Sequence, residues 1–323
     1  MTAKPVLRIP ARSVQIGLGV LWLLDGMLQL QPSMFGPAFA THVIMPSAMG
    51  QPGVVSSAIT QAAHFMAVDP ALVNVVFAGV QLLIGAGLLV RETVKPALIV
   101  SFAWGFGVWS MGEGFGGLLT GSASPLTGAP GAALLYLIIG VLVWPRRRAE
   151  DVPGPAAAEG LFGAGGGRAL WAALWCGLGT LWLLPATSAG GALSGALSNA
   201  SSGEPSMLAH LQLSLSHALA GGAGTAAAVV AGLLSFVIGL GPLFVRRYAL
   251  FLVAGVALSL DCWAFGESFG QIFTGLATDP NTGPLLILLA LTIWPVGTRA
   301  IAPASARAAT PSLVNPLTGS LAS

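Results

Sequence analysis

The chain has 323 residues, of which 55% are hydrophobic and only 7% are charged, and its formal net charge is +2. Soluble domains carry about 25% charged residues, so this composition excludes a globular protein with a water-facing surface, and we expect an integral membrane protein. The basic residues are dispersed rather than clustered, which excludes a nucleic-acid partner and leaves the lipid bilayer as the predicted surrounding.

Eight apolar segments approach the length of about 20 residues that a helix needs to cross about 30 Å of hydrocarbon. We therefore predict an all-α membrane protein with eight transmembrane helices. Their expected positions are 14–30, 71–90, 96–117, 130–144, 169–185, 221–245, 248–269 and 283–297.

The basic residues support this arrangement, because all 13 Lys and Arg residues fall on one side of it. By the positive-inside rule that side is the cytoplasm. The sequence thus predicts a multi-pass protein of the plasma (inner) membrane with both termini in the cytoplasm. The basic residues are Lys4, Arg8, Arg12, Arg91, Lys95, Arg146, Arg147, Arg148, Arg168, Arg246, Arg247, Arg299 and Arg307.

A repeated pattern indicates an internal duplication. The motif W-x-x-G-E-x-F-G occurs at 109–116 and again at 263–270, and TGSASPLTGAP (120–130) resembles TGLATDPNTGP (274–284). We predict two four-helix bundles in parallel orientation, related by a pseudo-two-fold axis along the membrane normal. The predicted parts are a first repeat at 1–148, a cytoplasmic linker at 149–167, a second repeat at 168–300 and a disordered cytoplasmic tail at 301–323.

The first outer loop, about 40 residues at 31–70 in this prediction, is expected to contain a surface helix. VSSAITQAAHFMA (54–66) places apolar residues on one broad face. Asp69 and Pro70 are then expected to cap and begin the second span. The residues on the apolar face are Val54, Ile59, Ala62, Ala63 and Met66.

This architecture, with the LWLLDG start at 21–26 and the glycine-rich second span FAGVQLLIGAGLLV at 77–90, resembles the DoxX-like membrane family. Members of that family are compact four-helix bundles, and some are associated with quinone-linked sulfur oxidation or thiol stress. The resemblance implies a tandem pair of such bundles in a redox-associated membrane subunit that works beside a quinone or thiol partner. It assigns no catalytic residue to any position of this chain.

Acidic residues within the apolar segments are the main functional signal. Glu113 and Glu267 are expected near the outer edge of the hydrocarbon, and Asp25 and Asp261 somewhat deeper. A charge at membrane depth costs at least about 2.5–3.5 kcal/mol, and no Lys or Arg lies on the outer side to offset it. With the flanking Trp109 and Trp263, these four acids form a predicted substrate or proton site.

Histidines offer a metal-binding alternative. His64 and His217 occupy matching outer positions of the two repeats, and together with Glu113 and Glu267 they would suit copper or zinc. A structural interpretation stands beside it, in which the acids are protonated or cap helices and small residues such as Gly112 and Gly116 let backbones pack closely.

Three functions follow from these patterns. The first is the redox-associated subunit, the second a transporter or metal-handling protein that uses the same Glu and His residues, and the third a structural membrane assembly factor. The expected partners are a membrane redox protein or further copies of this chain. The sequence contains no phosphate loop, C-x-x-C or H-E-x-x-H motif that would point to a specific enzyme class.

Overall fold

The computed structural model describes residues 9–146 and 155–295. Within these residues every regular element is helical. The predicted tail at 301–323, part of the predicted linker and the basic residues Lys4, Arg8, Arg147, Arg148, Arg299 and Arg307 lie outside the described residues. The α helices are α1 Ala11–Gln29, α2 Gly53–Val68, α3 Pro70–Leu89, α4 Val94–Gly107, α5 Ala132–Leu142, α6 Gly163–Leu183, α7 Pro185–Ser188, α8 Ala192–Ala200, α9 Ser206–Ala218, α10 Gly222–Phe244, α11 Ala249–Asp261 and α12 Thr282–Thr292.

Four helices are long and apolar enough to cross a membrane, which agrees with a membrane protein. Two of them include the turns that continue α4 and α11. The helices α5 and α12 have only 11 residues each, about 16 Å of helix, so the arrangement of eight complete spans stays a prediction. The four candidates are Pro70–Leu89, Arg91–Gly112, Gly222–Phe244 and Ala249–Gly266.

The distribution of side chains on α3 is the reverse of that on a helix of a soluble protein. Its polar residues Asn74 and Gln81 are buried, whereas Leu72 and Leu83 are 61% and 74% exposed. An apolar outer face is stable only where hydrocarbon or another protein surrounds it, because in water the same face would be turned inward.

Glycines bring the long helices into close contact. In the α1–α3 pair, a Cβ built on Gly85 would lie 2.8 Å from the carbonyl oxygen of Gly19. In the α6–α10 pair, a Cβ built on Gly232 would lie 3.1 Å from the carbonyl oxygen of Gly179. Small residues at these crossings permit the backbone approach that is typical of membrane helices.

The two predicted repeats share one hydrophobic core. Tyr136 and Ile139 of α5 belong to the same buried cluster as Leu285 and Leu289 of α12, and α5 packs directly against α12. The two short helices are therefore enclosed at the centre, and the longer helices pack around them.

The outer-loop helix has the predicted position, since α2 covers Gly53–Val68. Its buried face contains Ile59, Ala63 and Met66, but Val54 is 85% exposed and was wrongly placed on that face. The predicted cap of the second span is confirmed, because the Asp69 side chain accepts a hydrogen bond from the backbone N–H of Leu72 at 3.1 Å.

The predicted boundary at 168 falls inside α6, which begins five residues earlier, at Gly163. The glycines at 163–167, expected to belong to the linker, form the first turn and a half of α6. A Cβ built on Gly167 would lie 2.6 Å from Ala157 and 2.9 Å from Ile293. This close packing against two other segments outweighs the low intrinsic helix propensity of glycine.

Candidate functional site

The repeated motif W-x-x-G-E-x-F-G forms nearly the same local structure twice. Each long helix ends in a π-helical turn, Val108–Gly112 after α4 and Cys262–Gly266 after α11. The motif phenylalanines Phe115 and Phe269 then adopt left-handed φ values of 57° and 54°. Such turns are uncommon for a bulky residue, and here each one reverses the chain directly after the glutamate.

Each motif tryptophan donates a hydrogen bond to the loop that follows the motif and leads to the next helix, α5 or α12. Trp109 Nε1 donates to the carbonyl of Pro130 at 2.9 Å, and Trp263 Nε1 donates to that of Pro280 at 2.7 Å. The two members of each pair are 21 residues apart in the first repeat and 17 in the second. Pro130 therefore corresponds in structure to Pro280, and the second loop is four residues shorter between these positions.

Glu267 serves as a cap for α12. Its carboxylate accepts hydrogen bonds from the backbone N–H groups of Thr282 at 2.9 Å and Gly283 at 3.4 Å, and from the Thr282 hydroxyl. The N–H groups of a helical first turn have no partner within the helix and carry partial positive charge. The buried carboxylate of Glu267 is thus balanced by a helix terminus, as the structural interpretation expects.

The Glu113 carboxylate accepts fewer hydrogen bonds than that of Glu267. Its Oε1 accepts a hydrogen bond from the backbone N–H of Ala133 at 2.9 Å, but its buried Oε2 has no hydrogen-bond partner. Gly131 has a φ of 102°, and a Cβ built there would lie 2.1 Å from Oε2, so only glycine fits beside this carboxylate. Glu113 consequently retains an oxygen that can bind a ligand.

A cavity of about 300 Å³, which we call the chamber, lies within the first repeat beside Glu113. Residues of α1, α2, α3, α4 and α5 line it, together with residues of the first and last outer loops. Five of the lining side chains are aromatic. They are Trp22, Phe39, Phe77, Trp104 and Tyr136.

The chamber carries three carboxyl groups, those of Asp25, Glu113 and Asp279. Asp279 lies within electrostatic reach of the other two. None of the described residues that line the chamber is Lys or Arg. Burial raises the pKa of Asp279, although hydrogen bonds to its carboxylate from the neighbouring Thr278 and Asn281 oppose part of that rise.

Polar atoms without a partner are concentrated around the chamber. Buried polar groups in proteins are normally hydrogen-bonded, yet several side chains of the chamber wall contain a buried nitrogen or oxygen that has no hydrogen-bond partner. These atoms are Trp22 Nε1, Gln29 Oε1, Gln81 Oε1, Trp104 Nε1 and Glu113 Oε2. The side chains of Asp25 and Tyr136 lie beside them and interact with each other.

An outer cleft of about 460 Å³ adjoins the chamber. Glu113 and Asp279 line both spaces, as do Val43, Ala132 and Thr278. The two carboxyl groups therefore stand in the wall between the outer cleft and the chamber.

Among the described residues of the second predicted repeat, the corresponding place holds a much smaller space. Trp182 follows the same L-W-L-L pattern as Trp22, but the space beside it holds only about 20 Å³. The sequence pattern pairs Asp25 with Pro185. The tryptophan hydrogen bonds, which pair Pro130 with Pro280, place Tyr136 opposite Leu286. Polar residues of the first repeat are thus replaced by apolar ones in the second.

The predicted site residues separate into groups. The structure brings Asp25 and Glu113 together at the chamber, whereas Asp261 is exposed on α11 and lines neither space. Trp109, Trp263 and Glu267 have the structural roles described above. Sequence reasoning missed Asp279, Gln81 and Tyr136, although buried polar residues in apolar helices are a signal that could have found the last two.

The predicted metal site is not assembled. His64 and His217 are both exposed on the outer-loop helices α2 and α9. Across residues 9–146 and 155–295, no group of three or more His, Cys, Asp and Glu side chains is arranged to hold a metal ion. Copper and zinc therefore find no ligand set in the described part of the chain.

No protein-family model, curated protein or solved structure matches the chain. The DoxX-like resemblance thus stays a prediction, and the chamber itself is the basis for inferring a function.

Proposed function

We propose that this chain is an integral membrane protein that binds a small organic cation in the chamber, reached from the outer side, as the binding step of transport or sensing. A compatible ligand has an ammonium group and a modest apolar part. The proposal includes two parallel repeats with eight spans and cytoplasmic termini, and it places the outer cleft on the extracytoplasmic side.

The composition of the chamber wall is the observation that carries the proposal. Carboxylates attract a cation strongly in a low-dielectric space, and the lining contains three acids without a Lys or Arg to compete for them. Aromatic faces also attract ammonium groups, and cages of such residues recognise quaternary ammonium compounds. Five aromatic side chains and three carboxyl groups around about 300 Å³ match both requirements.

The second repeat serves as an internal comparison. It makes the same glycine-mediated helix contact and the same glutamate cap without a buried aspartate or tyrosine at the corresponding positions. The fold of a repeat therefore does not require Asp25 or Tyr136. Since burial of a carboxyl group and a phenol hydroxyl costs free energy, the presence of these residues in the first repeat supports a role in ligand binding.

Protons compete with the cation for the same carboxylates. Three neighbouring carboxyl groups cannot all be ionised in a buried space without a compensating charge. An entering cation supplies that charge and favours loss of protons from the acids. Binding is therefore expected to release protons and to weaken as the pH falls.

Calorimetric titration of the detergent-purified full chain tests this proposal. Choline, tetramethylammonium and benzyltrimethylammonium are the cationic probes, and 3,3-dimethylbutan-1-ol is a neutral analogue of choline with the same shape. We expect at least one cation to bind and the neutral analogue not to bind. The affinity should be higher at about pH 8 than at about pH 5.

Variants locate the binding site. Asp25→Asn should lower the affinity for the bound cation roughly tenfold or more, because a charge-assisted contact is lost. Tyr136→Leu introduces the residue found at the corresponding place in the second repeat, and it should weaken binding while the protein still folds. Asp261→Asn is the matched control outside the chamber and should bind as the parent does.

Binding of no cationic probe, equal binding of choline and its neutral analogue, or equal losses in Asp25→Asn and Asp261→Asn would each contradict the proposal.

A quinone-type ligand is the second candidate, in line with the redox-associated subunit that the family resemblance implies. Trp22 Nε1 and Trp104 Nε1 are hydrogen-bond donors without a partner beside an apolar space, and quinone carbonyls accept such bonds. Titration with a short-chain ubiquinone distinguishes the two ligands. A neutral quinone should bind equally well to the parent and to Asp25→Asn, whereas a cation should not.

A further inference from the structure

A second cleft lies at the end of the molecule opposite the chamber and has a different chemistry. It has a volume of about 520 Å³ and is lined by Arg12, Arg91 and Arg146, with Glu159 as the acidic lining residue. Three of the basic residues that the sequence places on the cytoplasmic side thus surround one cleft. We refer to it as the arginine cleft.

The three arginines come from different parts of the first repeat. Arg12 begins α1, Arg91 lies between α3 and α4, and Arg146 follows α5. Gln15 closes the floor, since its Nε2 donates to the carbonyl of Val143 at 2.8 Å. Packing of the helix ends, rather than one basic segment, creates the positive charge of the cleft.

Each guanidinium retains donors for a ligand. Arg12 donates one N–H from Nη1 to the carbonyl of Leu88 at 2.8 Å and one from Nη2 to that of Leu89 at 2.5 Å. The Nη1 of Arg146 donates to the carbonyls of Gly160 and Leu161 at 3.3 Å and 3.2 Å. A guanidinium has five N–H donors, and its geometry matches phosphate oxygens. Backbone contacts therefore orient two of the arginines while leaving further N–H groups for an anion.

The cleft also has an apolar part beside its arginines. Ala11, Val94, Val143 and Trp144 line it together with the arginines. Tryptophan is enriched at the boundary between membrane and water, and basic pockets between membrane helices on the cytoplasmic side bind anionic headgroups.

We propose that the arginine cleft binds the phosphate group of an anionic phospholipid of the inner leaflet. The arginines contact the phosphate, and the residues around Trp144 contact the adjoining glycerol and upper acyl chain. The same phosphate chemistry is present in soluble phosphate compounds, so the test includes both sources. The site is separate from the chamber and does not depend on the function proposed for it.

Native mass spectrometry of the full chain in detergent provides the test. The protein is mixed with equal amounts of phosphatidylglycerol and phosphatidylcholine, which have similar acyl chains but differ in net charge. We expect preferential retention of phosphatidylglycerol. Arg91→Gln and Arg146→Gln should each lower the retained fraction about fivefold, in line with the contribution of one basic residue near a membrane surface.

Arg247→Gln is the matched control, because Arg247 is an exposed basic residue on the predicted cytoplasmic side that does not line the cleft. It should retain phosphatidylglycerol as the parent does. Thermal unfolding with added inorganic pyrophosphate forms the second arm. Stabilisation by pyrophosphate that is lost in Arg91→Gln, without a preference for phosphatidylglycerol, identifies the phosphate source as soluble rather than lipid.

Equal retention of the two lipids together with no response to pyrophosphate overturns the proposal. Equal effects of Arg91→Gln and Arg247→Gln overturn it as well, because they show general surface attraction instead of a site. Arg12 is left unchanged in these experiments, since its loss would also remove the cap from the end of α3.

Discussion

Glu113 and Glu267 occupy the same position in the repeated motif, but their surroundings differ. Glu267 is 3% exposed and accepts hydrogen bonds from Thr282 and Gly283. Glu113 accepts one from Ala133, and its second oxygen lies at the chamber. The difference arises because Thr282 supplies a hydroxyl and Gly283 a second N–H to Glu267, whereas Ala132 and Ala133 provide a single bond to Glu113.

Glu267→Ala is therefore expected to destabilise the protein more than Glu113→Ala. Removal of a buried cap that accepts several bonds should lower the free energy of unfolding by about 2 kcal/mol or more, against about 1 kcal/mol for a single bond. Thermal and denaturant unfolding of the two variants in the same detergent measure this. Cation binding should show the opposite order, with the larger loss in Glu113→Ala.

Equal destabilisation by the two substitutions would indicate that the additional donors to Glu267 contribute nothing. An equal loss of cation binding would indicate that Glu113 acts only as a cap.

Individual residues show what the sequence could predict and what it could not. The lack of any Lys or Arg on the predicted outer side left protonation, backbone and hydroxyl groups, water, a histidine or a bound cation as possible partners of Glu113 and Glu267. The structure shows backbone N–H groups for both carboxylates and a hydroxyl for Glu267. Which groups these are depends on how the loop before α5 or α12 packs against the glutamate. That packing is a tertiary contact, which the local sequence does not determine. Asp279 could not be predicted as part of the site, because it comes from the last outer loop but lines a cavity of the first repeat.

At the scale of the helices, glycine positions determine how closely the elements approach. Gly85 and Gly79 both lie on α3, yet their surroundings differ completely. A Cβ built on Gly85 would lie 2.7 Å from a Leu23 side-chain carbon and 2.8 Å from the carbonyl oxygen of Gly19, whereas a Cβ built on Gly79 would meet nothing within 4 Å.

Gly85→Ala should destabilise the protein by about 1–3 kcal/mol, because the methyl group forces α1 and α3 apart. Gly79→Ala should be neutral or slightly stabilising, because alanine favours the helix and no neighbour is displaced. Thermal unfolding of both variants tests the contact. Similar stabilities of the two variants would contradict the close packing of α1 on α3.

Hydrophobic patterns located the helices well and their ends less well. Apolar length alone identified the long helices α3 and α10 to within one residue at either end. It overestimated α5 and α12, mainly because the apolar run continues past the end of each helix, through Val143 and Trp144 after α5 and through Ile293 and Trp294 after α12. It missed the start of α6, where packing of Gly167 overrides local propensity.

In the whole molecule, the second outer loop of each predicted repeat packs against the other repeat. Gln31 donates to the carbonyl of Ala277 at 3.1 Å, which attaches the last loop to the first repeat. In return, Leu126 of the first repeat packs with Trp182 and Leu193 of the second. Each predicted repeat therefore contributes a loop to the outer end of the other. Only the loop that carries Asp279 brings an acid to the space it covers.

This contact between the loops makes the site asymmetric, although the motif W-x-x-G-E-x-F-G occurs in both halves of the sequence. The repeated motif predicts a duplication but not the chamber, because the acidic residues of the chamber wall come from α1, from the turn after α4 and from a loop of the other predicted repeat. In the proposed function, the first predicted repeat binds the ligand and the second supports it.

In the proposed function, an acidic chamber opens to the outer face of the membrane. Val43→Cys tests it in a background with Cys176→Ser and Cys262→Ser, because Val43 lines both the outer cleft and the chamber. The measurement compares the rates at which two membrane-impermeant methanethiosulfonates, one bearing trimethylammonium and one bearing sulfonate, label intact right-side-out vesicles. We predict that the cationic reagent reacts roughly tenfold faster or more, and that Asp25→Asn with Asp279→Asn removes most of this preference. Equal rates for the two reagents would contradict an acidic chamber, and labelling only after the vesicles are made permeable would contradict its opening to the outer face.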